Sequence, residues 1–187
     1  PASGYTLWTD MVRKGSNTAL PEDSGKWDDC GAILYSGGTT GTTKGIQLSN
    51  LNFNALGMQT IAASGFGSVA GMKMLSVMPI FHGFGLGVSI HSMLANGGGC
   101  ILVPRFTPQT YAELLRKYKP NLIAGVPTLY EALLRIPNLD DLDLSCLKGV
   151  FSGGDSLPPE LKRRFDRFLQ AHGCKVEVRE GYGTTEC

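Results

Sequence analysis

The sequence lacks the features that mark several functional classes. Seventeen Lys and Arg against sixteen Asp and Glu leave a formal net charge of +1, too little to attract nucleic acid or anionic lipid. The five cysteines are odd in number and include no C-x-x-C pair, which argues against a disulfide framework and a zinc site. We therefore expect reduced thiols, a cytoplasmic location and no nucleic-acid partner.

No stretch predicts a transmembrane segment or a signal peptide. The most apolar region, residues 74–94, is interrupted by Pro79, His82, His91 and several glycines, so it is a poor membrane span. A chain of 187 residues is long enough for one domain with a substantial core. It does not begin with Met and it stops directly after a motif, so we expect part of a longer protein.

Glycine is abundant instead, at 25 residues, and four glycines lie in the stretch from Tyr35 to Gly45. This stretch also holds five Ser or Thr residues and ends in Lys44-Gly45, so its backbone N–H groups and ammonium can surround an anion such as a polyphosphate. A surface hairpin is the alternative, and the lysine favours phosphate. Thr43 before the lysine and Gly45 after it exclude a Walker A loop. The candidate phosphate-binding residues are Gly38, Thr39, Thr40, Gly41, Thr42, Thr43 and Lys44.

Along the rest of the chain, short apolar runs alternate with segments whose apolar residues recur at helical spacing. The predicted strands are residues 32–35, 74–78, 100–103, 122–124, 149–151 and 175–178. The predicted helices are residues 51–63, 82–94, 108–118, 127–134 and 158–171. This order predicts an α/β fold with a mainly parallel sheet and flanking helices. Ligands of such sheets bind beyond the carboxyl ends of the strands, and we expect the glycine-rich loop there because it follows the first predicted strand.

Three histidines are candidates for chemistry. His82, in Pro79-Ile80-Phe81-His82-Gly83, follows the second predicted strand, where it could line a pocket or orient a carboxylate. A core histidine bonded to a backbone carbonyl is an equally good interpretation of His82. His91 lies in an apolar period and is predicted to be structural. His172 precedes Gly173 and is expected to complement the end of a helix.

Two more glycine-containing stretches follow predicted strands. Gly153-Gly154-Asp155 would let a flat group approach the backbone, although the aspartate or Ser156 is predicted to cap the next helix. In residues 181–186 the ring of Tyr182 can lie on a base, a threonine hydroxyl can bind a phosphate oxygen, and Glu186 can hold Mg²⁺. By itself this last stretch could also be a turn that enters a helix.

Taken together and in this order, these stretches resemble the adenylate-forming superfamily of acyl-CoA synthetases, firefly luciferase and peptide-synthetase adenylation domains. The resemblance runs from about Asp29 to Glu186. The loop matches the family's Y-T-S-G-[ST]-T-G-x-P-K-G except at Ser36, Gly37 and Thr43. Residues 79–82 are similar to P-[LI]-F-H, and residues 182–186 match Y-G-x-T-E.

The resemblance implies a role for each motif. The segment from Gly38 to Lys44 would hold the β- and γ-phosphates of ATP, and His82 would lie beside the acyl pocket. The residues implied on the nucleotide side are Gly153, Gly154 and Asp155 along adenine, Tyr182 stacked on its ring, Gly183 and Thr184 in the same motif, Thr185 at the α-phosphate and Glu186 on Mg²⁺.

The resemblance also implies a reaction. A carboxylic acid would be activated by ATP to an acyl-adenylate with release of pyrophosphate, and CoA or the phosphopantetheine of an acyl carrier protein would then take the acyl group. Residues 1–187 would be part of the family's large N-terminal domain. The C-terminal catalytic subdomain would be absent, so we expect this chain alone to be inactive.

The branch of the family is narrowed by one missing carboxylate. Amino-acid-activating members carry an aspartate in the segment that corresponds to Pro79-Ile80-Phe81-His82, and this segment has none. A plain carboxylic acid is therefore favoured over an amino acid. The apolar character of residues 82–94 and 126–129 hints at a fatty or aromatic acyl group. An amino-acid-activating adenylation domain of a peptide synthetase and a nucleotide-binding module without turnover remain alternatives.

Overall fold

The computed structural model describes residues 6–20, 22–36 and 42–186. The strands are β1 (Cys30–Ser36), β2 (Lys44–Ser49), β3 (Lys73–Ser76), β4 (Gly99–Leu102), β5 (Leu122–Gly125), β6 (Gly149–Ser152) and β7 (Val178–Glu180). The helices are α1 (Trp8–Gly15), α2 (Asn50–Ser64), a π-helix (Phe84–His91), α3 (Ser92–Ala95), α4 (Pro108–Tyr118), α5 (Pro127–Leu134) and α6 (Pro159–Ala171).

The predicted parallel sheet is confirmed. Five strands lie in the order β4-β3-β5-β6-β7, and every neighbouring pair is parallel. Its central strand β5 is buried at all four positions. One core cluster, which includes Tyr130 and Phe165, packs α4, α5 and α6 on one face, and a smaller one, which includes Ile61 of α2 and Met93 of α3, lies on the other. The sheet thus has helices on both faces, as buried parallel sheets require.

The first predicted strand does not belong to this sheet, which corrects our expectation for the glycine-rich loop. β1 pairs antiparallel with β2, and the last pair before the turn is Ser36 with Lys44. Only seven residues separate that pair, whereas a parallel crossover needs a dozen or more. The loop therefore lies at the tip of a hairpin, and β2 is a strand that the sequence analysis missed.

Two helices begin at residues whose side chains cap them. The Ser49 hydroxyl accepts a hydrogen bond from the Asn52 N–H at 3.2 Å, and the Asn52 side chain accepts one from the Ser49 N–H at 2.8 Å. Thr107 caps α4 by accepting from the Thr110 N–H at 3.1 Å, with Pro108 in the first turn.

The predicted cap of α6 is wrong. The helix begins at Pro159 after Pro158, and no side chain caps it. The carboxylate of Asp155 instead accepts a hydrogen bond from the N–H of the next residue, Ser156, at 2.8 Å. The two prolines explain the late start, because a residue that precedes a proline is pushed out of the helical region.

The predicted helix over 82–94 is present in an unusual form. The π-helix occupies its first part, and the Ser92 N–H bonds to the Gly87 carbonyl five residues earlier. A Cβ at Gly85 would lie 2.1 Å from the Pro79 carbonyl oxygen, and one at Gly87 would lie 2.5 Å from Leu56 Cδ2 of α2. Glycine is therefore required at position 85, which lies against backbone, whereas at Gly87 the Leu56 side chain could turn aside.

In the ranges described, no helix combines the length and the apolar character that a bilayer crossing demands.

The last strand is the least well predicted of the sheet, because only Val178 of the expected 175–178 lies in β7. The Val178 N–H bonds to the Asp166 carboxylate of α6 at 2.8 Å. The strand then continues to Glu180 beside β6.

Candidate functional site

The carboxyl ends of the five parallel strands lie at one edge of the sheet. Three of the four motif segments leave the sheet at this edge: residues 77–83 after β3, residues 153–157 after β6 and residues 181–186 after β7. Because β6 lies beside β7 and one strand away from β3, the fold brings the three segments together. This is the edge at which ligands of α/β sheets bind.

Gly153 is the point at which the three segments meet. A Cβ at this position would lie 3.2 Å from Cζ of Phe84, which follows His82, and 3.3 Å from the carbonyl oxygen of Gly181. The Gly153 N–H bonds to the Gly125 carbonyl at 3.1 Å, and the Gly181 N–H bonds to the Ser152 carbonyl at 2.8 Å. A methyl group at Gly153 would fit only if Phe84 or Gly181 moved slightly.

The segment after Gly153 is also held in place. Gly154 has φ of 76°, in the left-handed region that favours glycine. The Leu157 N–H donates to Oε1 of Glu180 at 2.8 Å, which ties the end of this segment to the end of β7. The segment thus has a fixed path, along which Gly153 is buried and Gly154 exposes its backbone to solvent.

His82 lies on the surface, so the core interpretation of this residue is wrong. Its Nδ1 accepts a hydrogen bond from the Phe84 N–H at 3.1 Å, at the start of the π-helix. In the neutral ring the proton is therefore on Nε2. His82 can present an N–H donor at the carboxyl edge of the sheet.

The other two histidines have structural roles, as predicted. Nε2 of His91 lies 3.1 Å from Oδ1 of Asn54, and its ring packs edge-on against Phe53 with centroids 5.5 Å apart. His172 is the residue at which α6 ends, and its Nδ1 lies 2.8 Å from the Leu142 carbonyl oxygen.

The glycine-rich loop lies only partly within the described residues. Gly38, Thr39, Thr40 and Gly41 fall outside them, whereas Thr42, Thr43 and Lys44 are described and exposed. Within the described part of the chain, Lys44 makes no ion pair, so its ammonium is available to a ligand. The hairpin reaches the sheet edge through Leu34, whose Cδ1 would lie 3.8 Å from a Cβ at Gly83.

The terminal motif is largely open to solvent. The side chain of Tyr182 is 95% exposed, and Gly183, Thr184 and Glu186 are also exposed, whereas Thr185 is half-buried. Residues 181–186 form neither helix nor strand. The uncovered ring of Tyr182 is accessible for stacking on a flat ligand.

The sequence did not predict the polar residues that lie in or contact β6 just before this edge. The Tyr130 hydroxyl of α5 donates a hydrogen bond to the Phe151 carbonyl of β6, and burial raises the pKa of Tyr130 well above its ordinary value. The phenol therefore stays protonated and remains a donor through the neutral range. The Ser152 hydroxyl at the end of β6 is buried without a partner in the described residues. The aromatic residue at a core-facing position of a helix is the only sequence signal for Tyr130.

Two grooves lie elsewhere on the surface. One of about 370 Å³ separates the start of α4 from α5, and one of about 260 Å³ lies between β1, α2 and the π-helix. Neither is lined by a residue that the motifs single out. The motifs, and not these grooves, therefore define the candidate site.

Comparison with known proteins identifies the family to which the chain belongs. The profile of the AMP-binding enzyme family matches residues 4–187. The chain belongs to this family. A long-chain-fatty-acid–CoA ligase of Bacillus subtilis is 35% identical over 159 residues, which are 84% of this chain and 27% of the relative. A probable 4-coumarate–CoA ligase of Dictyostelium discoideum is 33% identical over 84% of this chain and 28% of its own length.

Solved structures of AMP-binding enzymes share the fold. ATP-bound MatB from Rhodopseudomonas palustris superimposes with a TM-score of 0.79 at 27% identity, over 94% of this chain and 34% of that one. The anthranilate CoA ligase AuaEII in complex with anthranoyl-AMP gives 0.81 at 25% identity, over 98% of this chain and 34% of that one. The chain thus spans about a third or less of the length of these proteins.

Proposed function

We propose that this chain is part of a ligase that uses ATP to convert a carboxylic acid into an acyl-adenylate and then a thioester. The observation that carries the proposal is the contact at Gly153. There the segment of His82 and Phe84 and the segment of Gly181 close on the same backbone position. Three motifs of the AMP-binding family, far apart in sequence, therefore line one edge of one sheet.

The proposed roles follow from the position of each group. Adenine would lie along Gly153-Gly154 and under the exposed ring of Tyr182, with Asp155 beside it. The segment from Gly38 to Lys44 would hold the β- and γ-phosphates, because its sequence offers backbone N–H groups and the ammonium of Lys44, which makes no ion pair with the residues described. Thr185, in the same motif as Gly183 and Thr184, would bind the α-phosphate, and His82 would present its Nε2–H to the acyl group.

The residues also fit a magnesium ion. Mg²⁺ is commonly bound through one or two carboxylates together with substrate phosphates, and not by an all-protein cage. The exposed carboxylate of Glu186, which has no partner among the residues described, suits that arrangement. When bound, the ion would neutralise charge on the phosphates. Within 6–20, 22–36 and 42–186, no cluster of three His, Cys, Asp or Glu residues offers a different site.

The chemistry needs no side-chain nucleophile. In the first step a carboxylate oxygen forms a bond to the α-phosphorus, and the bond from that phosphorus to the pyrophosphate oxygen breaks. In the second step a thiol sulfur bonds to the acyl carbon, and AMP leaves. The protein contributes positioning and charge neutralisation, and Lys44 supplies positive charge where the pyrophosphate leaves.

CoA is the proposed thiol, because the most similar curated relatives include CoA ligases, and a fatty or aromatic acid is the proposed substrate. Transfer to an acyl carrier protein stays an alternative. The four cysteines among the described residues are unpaired. The cytoplasmic location that the sequence predicts stays a prediction.

Pyrophosphate exchange by the full-length protein tests the proposal. We expect exchange into ATP that depends on a fatty or aromatic acid, and none by residues 1–187 alone. Exchange that depends only on amino acids would assign the chain to an amino-acid-activating adenylation domain. Binding of Mg·ATP without exchange for any acid would assign it to a nucleotide-binding module and overturn the proposal.

A further inference from the structure

Arg179 makes a long-range contact that no motif predicts. Its Nη1 donates to the Ser64 carbonyl oxygen at 2.7 Å, across 115 positions of sequence. Ser64 is buried, is the last residue of α2, and is followed by Gly65 in the left-handed conformation. The last turn of α2 has no basic residue of its own. Arg179 therefore supplies both a donor and a positive charge to helix carbonyls that lack partners within the helix.

The strand that carries Arg179 needs such support. β7 is only three residues long, and among the residues that the structure describes it pairs with β6 alone. Its first residue, Val178, is held through its N–H by Asp166 of α6. Arg179 holds the middle of the strand to α2, and the chain leaves the sheet at Gly181 two residues later.

The other end of α2 adjoins the hairpin. Ser49, the last residue of β2, caps α2 directly, so the element that begins with Lys44 continues into this helix without a linker. The helix thus connects the phosphate-loop hairpin at its start with β7 at its end. The contact of Arg179 with Ser64 closes this connection.

We propose that Arg179 is a positioning residue, which holds residues 181–186 in register with α2 and so with the hairpin. The inference rests on the proposed function for its catalytic consequence, but the tether itself does not. The partner of Arg179 in this hydrogen bond, Ser64, is not a motif residue. Arg179 would therefore act on the terminal motif indirectly, through β7.

The test uses the full-length protein with Arg179→Met, which keeps the aliphatic stem and removes the guanidinium, and Arg179→Lys, which keeps a cation. Arg163→Met is the matched control, because Arg163 is exposed and, in the ranges described, pairs with the equally exposed Glu160 on the surface of α6. Backbone hydrogen exchange of residues 61–65 and 180–186 reports on the tether. KM values for Mg·ATP and for the acid report on the catalytic consequence.

We expect Arg179→Met to accelerate exchange at both segments and to raise KM for Mg·ATP about tenfold, with KM for the acid little changed, as loss of one charge-assisted hydrogen bond implies. Arg179→Lys should restore part of both effects. Unchanged exchange in Arg179→Met relative to Arg163→Met would overturn the tether. Faster exchange with equal changes in both KM values would overturn the positioning role. Absence of wild-type turnover would count against the proposed function and leave the exchange result to judge the tether.

Discussion

The β1–β2 hairpin and the parallel sheet carry different parts of the candidate site and are built differently. Leu34 is the only buried residue in β1, and β2 has none, whereas every residue of β5 is buried. In β1 the side chains of Ile33 and Tyr35 are 49% and 71% exposed. The hairpin therefore presents its residues to solvent, whereas the parallel sheet is closely packed up to Gly153, where the motif segments begin.

This difference indicates how each region would act on a nucleotide. Lys44 can be removed without disturbing a packed contact, so its contribution is electrostatic. Gly153 contributes space, because its neighbours leave no room for a methyl group without some displacement. Substitution of Lys44 should therefore change turnover alone, and substitution of Gly153 should change both turnover and stability.

The largest effect is expected from Lys44→Ala in the full-length protein. Removing positive charge at the leaving pyrophosphate should raise the barrier to adenylation by about 2–4 kcal/mol, or roughly 30- to 1,000-fold in rate. The melting temperature should not change, since Lys44 is exposed and makes no ion pair in the ranges described. Pyrophosphate-exchange kinetics and thermal unfolding measure the two effects.

Lys148→Ala is the control for this prediction, because Lys148 is also exposed but precedes β6 at the opposite edge of the sheet. Adenylation kinetics in Lys44→Ala as fast as in Lys148→Ala would rule out Lys44 as a phosphate ligand. A large drop in the melting temperature would show that Lys44 contributes to the packing of the hairpin, contrary to its exposed position.

The sequence predicted the sheet better than the hairpin for a physical reason. The strands β5 and β6 are short apolar runs between helical periods, and this alternation has one common solution, the parallel sheet. In β2 the signal was present but weaker, because Ile46 and Leu48 alternate with polar neighbours over only six residues. The seven-residue gap after Ser36 was sufficient to predict an antiparallel pair.

The candidate site was predictable at the level of motifs but not of their supports. Gly153, His82 and Tyr182 follow apolar runs, so their presence at one edge could be inferred. The contacts of Arg179 with Ser64 and of Glu180 with Leu157 join distant segments, and no spacing in the sequence pairs them. The π-helix likewise depends on the close approach of Gly85 to Pro79.

Gly153→Ala tests the packed side of the comparison and should have the next largest effect. The added methyl group would lie 3.2 Å from Phe84 Cζ and 3.3 Å from the Gly181 carbonyl, so one of the segments must move. We expect a loss of about 1–3 kcal/mol in the free energy of unfolding, typical of overpacking, together with a higher KM for Mg·ATP. Denaturant unfolding and exchange kinetics measure both.

Gly99→Ala is the matched control for this change, because a Cβ in β4 would meet its nearest neighbour at 3.9 Å, an ordinary contact. Equal stability of the two variants would mean that the sheet edge yields without cost. Lower stability of Gly153→Ala with an unchanged KM for Mg·ATP would separate the packing at Gly153 from nucleotide binding.

The smallest effect is expected from Tyr130→Phe. Tyr130 stabilises the sheet edge through β6 but is not proposed to contact the nucleotide. Loss of the hydrogen bond to the Phe151 carbonyl should lower the free energy of unfolding by about 1 kcal/mol and leave KM for Mg·ATP nearly unchanged.

The same variant predicts a pH dependence. Because burial raises the pKa of Tyr130, its neutral form stabilises the fold fully below about pH 10, and that stability is lost as the pH rises further. Tyr130→Phe should therefore lose less stability than the wild type between about pH 10 and 11. Identical alkaline unfolding of wild type and Tyr130→Phe would mean that the phenol is not shielded from water beneath β6.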